Sequence, residues 1–162
     1  VKCRVCEQPV AHYGELLLED HDNGIVGSPD LVFENENGLT VVEVKSIKKD
    51  SFAGLTAPLM DHVIQCYGYV RHLRKVVDKP VHGKVFYVAK DYISPKLSPY
   101  KEYAISEYEE NAEKIYSVLR ESVREMREAA TAGSYPSRLA ECSSALSTRA
   151  KSCTACTLCF SL

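Results

Sequence analysis

Gly27-Ser28-Pro29-Asp30-Leu31, followed by Leu39-Thr40-Val41-Val42-Glu43-Val44-Lys45-Ser46-Ile47, is the stretch on which the fold turns. Its second part is rich in β-branched residues and reads as a strand. Ile25 to Phe33 reads as the strand before it, with Glu34 to Gly38 as the turn between. Upstream, Val10 to Glu19 holds an apolar, strand-like run, and Asp22-Asn23-Gly24 is a hairpin signal. Three consecutive strands joined by tight turns make an antiparallel meander.

Downstream, the period changes. Pro58 stands where a helix can begin, and Leu59 to Val77 has helical spacing. Leu59, Val63, Cys66, Val70 and Leu73 form one apolar stripe, with His62, Gln65, Tyr69 and His72 as a polar-aromatic stripe beside it. A helix built this way sits at the rim of a cleft. Gly83 to Ala89 predicts a fourth strand, ending at Lys90-Asp91, and Tyr100 to Ile105 a fifth on the sheet's edge. Glu107 to Ala132 predicts a long helix with opposite charges at i,i+4, a solvated face, stopped by Gly133. The tail from Ser134 onward has little periodicity and four cysteines.

The chain has 162 residues, 45% of them hydrophobic, enough for one domain with its own core. No apolar run approaches the ~18 residues that a membrane helix needs, and no signal peptide or lipidation motif is present. Position 1 is valine, so an N-terminal piece is expected to be missing from the numbering. A formal net charge of −2 excludes the strongly basic class of non-specific DNA binder, so any basic surface is local. Lys45, Lys48 and Lys49 make one such cluster, and Arg71, Arg74 and Lys75 another.

Side chains alternate along a strand, so Glu43 and Lys45 share a face while Val42 and Val44 are expected to point into the core. Asp30, one strand earlier, can reach the same edge. Magnesium takes a few hard oxygen ligands and keeps several waters. Asp30, Glu43 and the carbonyl of Val44 are the candidate protein ligands. A phosphate and a water acidified by the ion would fill the rest. Lys45 would orient that water or stabilise charge on the phosphate. The bland alternative is a surface ion pair between Glu43 and Lys45.

Seven cysteines is a high count, and without an export signal metal ligation is favoured over a disulfide framework, in a reducing cytoplasm. Cys3-x-x-Cys6 lies at one end and Cys142, Cys153-x-x-Cys156 and Cys159 at the other. Thiolates bind zinc tetrahedrally, and four of them also hold an iron–sulfur cluster. Six candidate ligands exceed four, so the quartet stays open, as does the choice of metal. Cys66, on the apolar stripe, reads as a small core residue.

Gly-x-Pro-Asp-Leu, then Val-Val-Glu-Val-Lys-Ser, then His62-x-x-Gln65-x-x-x-Tyr69 resembles, in that order, the PD-(D/E)XK nuclease superfamily. Within it the chain is similar to the RecB-like branch of CRISPR-adaptation and phage exonucleases with C-terminal cysteines. The resemblance covers Glu15 to Tyr69 by motif and extends to those cysteines. It implies a restriction-endonuclease-like α/β fold: a mixed central β-sheet flanked by helices, with a cysteine-ligated metal tying the termini. The nuclease core would span about residues 10–133, with metal-binding ends at 1–6 and 142–159 of a single domain.

The resemblance further implies Asp30 and Glu43 as metal-binding acids and Lys45 as the catalytic lysine. Gln65 and Tyr69 would contact substrate or the lysine's surroundings, with Lys90 a weaker phosphate contact. A [4Fe–4S] cluster would be held by Cys153, Cys156 and Cys159 with Cys3 or Cys6. Cys142, Cys153 and Cys159 offer a second spacing, and zinc is the rival metal. The partner would be DNA, in the cytoplasm (the host's, for a phage-encoded chain), in recombination, repair or CRISPR adaptation.

One departure stands out. RecB-like members carry a metal-binding histidine on a helix well upstream of the aspartate. Here His12 is only eighteen residues before Asp30, near a strand, and is not assigned that role. Glu15 and Glu19 are candidates for extra acids or for a solvated strand. The expected activity is magnesium- or manganese-dependent hydrolysis of DNA, by exonuclease action. The alternative is an inactive nucleic-acid-binding or assembly module held by its cysteine-bound metal.

Overall fold

Asn23-Gly24 makes the first turn, as its sequence predicts. Asn23 donates from both its backbone N–H (3.2 Å) and its side-chain amide (2.7 Å) to the carboxylate of Asp20. Gly24 sits at φ 67, a conformation that glycine adopts without steric cost. The hairpin pairs β1 (Leu18–Asp20) with β2 (Ile25–Gly27). Burial alone would disfavour ionisation of Asp20, but Lys75 (3.0 Å) and Asn23 outweigh it and pull its carboxyl down to about 2.

The computed structural model describes residues 16–21, 23–91, 98–136, 138 and 140–153. They fall into two compact units divided between Arg120 and Glu121. Among the described residues, the first unit holds two sheets. β1 and β2 form the smaller, and β3 (Leu31–Asn35), β4 (Gly38–Ile47), β5 (Val81–Ala89) and β6 (Tyr100–Ala104) form the larger, in that spatial order. The larger sheet is mixed: β3–β4 and β5–β6 are antiparallel, β4–β5 parallel. A parallel pair needs a crossover, here α1 (Lys49–Gly54) and α2 (Met60–Val76).

The predicted meander is thus corrected. The strand expected over Ile25 to Phe33 is broken at Ser28-Pro29-Asp30, and its two halves join different sheets. Proline lacks the N–H that a ladder requires, so pairing stops there.

A second correction concerns the faces of β4. Val41, Glu43 and Lys45 lie on the side covered by α2, and the core collects there: Val41, Val63, Cys66, Val70 and Val85 are all fully buried. Burying each such aliphatic side chain is worth roughly 1.5–3 kcal/mol. Val42 and Val44 point the other way. They line a depression of about 660 Å³ together with Leu31, Phe33, Thr40, Lys84 and Phe86, every lining residue belonging to the sheet itself. Phe86 and Tyr100 stack on that side at 5.3 Å. Leu59, predicted in the apolar stripe of α2, is 47% exposed because it precedes the helix. Cys66 is a core residue as expected, its thiol pushed up to about 12 by burial.

A 3-10 turn (Ser106–Tyr108) leads into α3 (Glu109–Thr131). Its first turns clamp α2: Glu113 accepts from Tyr67 (2.5 Å) and Arg71 (3.2 Å), and Glu109 receives the fork of Arg74 (2.8 and 2.9 Å). In the second unit, α3 carries the Arg124 pairs with Glu121 and Glu128 and ends just before Gly133. Among the described residues after it are a 3-10 turn (Ala140–Cys142) and α4 (Thr148–Lys151), capped by Ser147. Among the described residues no helix is long and apolar enough to cross a membrane.

Candidate active site

Asp30 stands one residue before β3, where Leu31 is opposite Val42. Extending that register by one residue sets Asp30 opposite Glu43, and cross-strand partners in an antiparallel pair share a face. The two acids therefore lie on one side of the sheet. Asp30 is fixed there by the backbone: its Oδ2 accepts the Val44 N–H at 2.7 Å. The break at Pro29 makes this possible, because it frees the chain to turn the aspartate back toward β4.

Glu43 is 2% exposed, so it is no surface ion-pair member. Its Oε1 accepts from the Lys45 ammonium at 2.6 Å, while Oε2 is buried without any hydrogen-bond partner. Burial pushes the carboxyl above the ordinary range; Lys45 pulls against that, and the charge of Asp30 adds to the push. A buried carboxylate oxygen left without a donor is costly unless a cation meets it.

Lys45 also donates to Gln65 Oε1 at 2.9 Å, and the Gln65 amide reaches the Tyr69 hydroxyl at 3.4 Å. Gln65 and Tyr69 are one helical turn apart on α2, which is why the i,i+4 pair can act as a single chain of contacts. Tyr69 is in turn pinned by β2: a Cβ on Gly27 would lie 2.7 Å from the phenol oxygen, so only glycine admits the ring there. The structure thus brings together Asp30, Glu43, Lys45, Gln65 and Tyr69. Gln65 touches the lysine, and Tyr69 acts through Gln65.

The donor set fits a divalent cation. It offers two hard carboxylates, one with an orphaned buried oxygen, with Val44 beside them in mid-strand opposite Phe86. Among the described residues no group of three or more His, Cys, Asp or Glu side chains converges as a metal cage does.

Other candidates fare differently. Glu19 is exposed and pairs with His21 at 3.0 Å, away from the acids. The basic cluster of Arg71, Arg74 and Lys75 is consumed by Glu113, Glu109 and Asp20. Lys48, Lys49 and Lys90 are exposed at the C-terminal ends of β4 and β5, where the Lys90 N–H meets Ile47 O at 2.8 Å. Cys142 and Cys153 carry free thiols. Cys3, Cys6, Cys156 and Cys159, with His12 and Glu15, lie outside the described residues.

Sequence reasoning gave no role to His62 and overlooked Tyr87. Tyr87 pairs with Lys45 across β4–β5, and its hydroxyl meets His62 Nδ1 at 2.8 Å. The signal was present: the tyrosine is the one polar-tipped residue on the core face of β5's otherwise apolar alternation. Comparison of the chain with family models, curated proteins and solved structures gives no match.

Proposed function

We propose that the chain is a magnesium- or manganese-dependent deoxyribonuclease of the PD-(D/E)XK kind, acting as a RecB-like exonuclease. One observation carries the reading: the buried Glu43 carboxylate, with one oxygen on Lys45 and the other without a partner, set on the same sheet face as Asp30. Asp30, Glu43 and the Val44 carbonyl would hold the ion. When bound, it supplies neutralising charge to a phosphate and acidity to a water.

The chain's own residues do the rest. An ammonium has three N–H donors, and Glu43 and Gln65 take two of them. The third is left for a phosphate oxygen or for the attacking water. Because both partners hold the lysine before substrate arrives, it needs no reorganisation to meet developing charge, which is worth about 10²–10³ in rate for one such donor. Glu43 positions the lysine as well as serving the ion, and the α2 pair Gln65–Tyr69 keeps the lysine from swinging out.

The test is digestion of linear and covalently closed DNA with magnesium, with manganese and with chelator. Linear DNA is expected to shorten from its ends, closed circles to resist, and chelator to stop the reaction. The rival reading, an inactive nucleic-acid-binding or assembly module, draws on there being two acids and no third ligating side chain among the described residues. It would be favoured by a protein that cuts nothing with either metal.

For the cysteine-rich ends the proposal is a [4Fe–4S] cluster drawn from Cys3, Cys6, Cys142, Cys153, Cys156 and Cys159, which would fasten a tail with little apolar surface of its own. Anaerobically purified protein should show a broad visible band that bleaches on reduction. A colourless sample containing zinc would assign the ends to that metal instead.

A further inference from the structure

We infer that His62 is a second contact to the substrate backbone, donating from Nε2–H to a phosphate next to the one held at Lys45. This rests on the nuclease reading and adds the path of the nucleic-acid strand across the site.

The argument begins with Tyr87. Its hydroxyl oxygen accepts the Leu59 N–H at 2.9 Å, so its own proton is free to point elsewhere. Burial keeps that phenol protonated, and the nearest acceptor is His62 Nδ1 at 2.8 Å. Receiving a proton there makes Nδ1 the acceptor nitrogen and places the imidazole's own hydrogen on Nε2. Burial, helped by the charge of Lys45 and opposed by Asp61, also favours the neutral ring.

Among the described residues nothing accepts that Nε2–H. The nearest carboxylate oxygen, Asp61 Oδ2, is 3.8 Å away, beyond hydrogen-bonding range, on a side chain 77% exposed. The other charged or titratable groups around the ring are Lys45 on β4 and Tyr87 on β5, with Tyr103 on β6 packed edge-on against Tyr87. His62 lies one turn before Gln65 on α2, above the strand next to Lys45. Asp30 is on the β3 side of the lysine, Glu43 is on the lysine's own strand, and His62 is on the β5 side. A strand whose reacting phosphate sits at Lys45 therefore runs from the acids over β4 toward β5, and its neighbouring phosphate meets the imidazole.

The test is steady-state cutting by the full chain, with His62→Ala and His62→Gln, alongside DNA affinity by fluorescence anisotropy in calcium. His62→Ala should raise KM and the dissociation constant about tenfold, with kcat within about twofold. His62→Gln, which restores a donor, should recover most of that loss. Both variants should keep the wild-type salt dependence, because a neutral donor releases no counterion. An unchanged KM, or a loss that tracks thermal stability and is not recovered by glutamine, overturns the inference alone. A wild type that cuts no DNA overturns the nuclease reading and this contact with it.

Discussion

Lys45→Ala is expected to lower magnesium-dependent cutting by about a thousandfold while DNA still binds within about tenfold of wild type. The ammonium is the cation that Glu43 and Gln65 hold, and on the proposed reading its third N–H would serve the phosphate. Removing it does more than delete that donor. Glu43 loses the one hydrogen-bond partner it has among the described residues and stands buried with both oxygens bare. Stripping one partner from a buried ion pair costs about 3–5 kcal/mol when the remaining charge persists. Glu43 escapes most of this by taking up a proton, toward which burial already biases it. The variant should therefore melt several degrees lower yet remain folded, so that anisotropy can show intact DNA binding beside lost cutting. Activity above a tenth of wild type would remove the lysine from the chemistry.

Glu43→Gln should be as inactive, with the opposite effect on stability. The folded-state pKa of Glu43 lies above its ordinary value, so the folded protein holds this proton more tightly than the unfolded chain does. Its contribution to stability then falls as pH rises from the ordinary carboxylate range through the folded value. Glutamine lacks that titration and can still accept from Lys45. Without metal, the variant should match wild type in acid and melt higher at neutral pH. With magnesium the order reverses in part: a ligand at a hundred times its dissociation constant stabilises wild type by about 2.7 kcal/mol, and the variant should gain none. On the proposed reading the same titration should weaken metal binding as pH falls, because a protonated Glu43 would be no ligand. Thermal melts at two pH values, with and without magnesium, read all of this. A glutamine variant that keeps the magnesium-dependent rise would show that the ion sits elsewhere.

How much of this was legible in the chain differs by element. α2 was read almost to the residue, because Val63, Cys66, Val70 and Leu73 repeat at helical spacing and all four are buried. The convergence of Asp30, Glu43, Lys45, Gln65 and Tyr69 followed from motif order. The faces of β4 did not. A strand paired on both edges, one of them parallel, carries apolar residues on both sides, so Val41 and Val42 look alike in sequence. Glu43 seemed to mark the wet face and instead marks the core. The break at Pro29 was visible as a proline, but that its two flanks serve separate sheets depends on pairings distant in sequence. Tyr87 and His62 meet only because β5 lies parallel to β4, which local spacing does not encode.

The bare side of the sheet has a practical meaning. Leu31, Phe33 and Tyr100 are 44%, 52% and 51% exposed, beside a depression lined by residues of the sheet. An oily surface of this kind governs how a protein behaves in concentrated or salted solution. The apolar depression and the proposed site thus lie on opposite sides of one sheet, and polar replacements at Phe33 would change the former while leaving the acids, the lysine and α2 as they are.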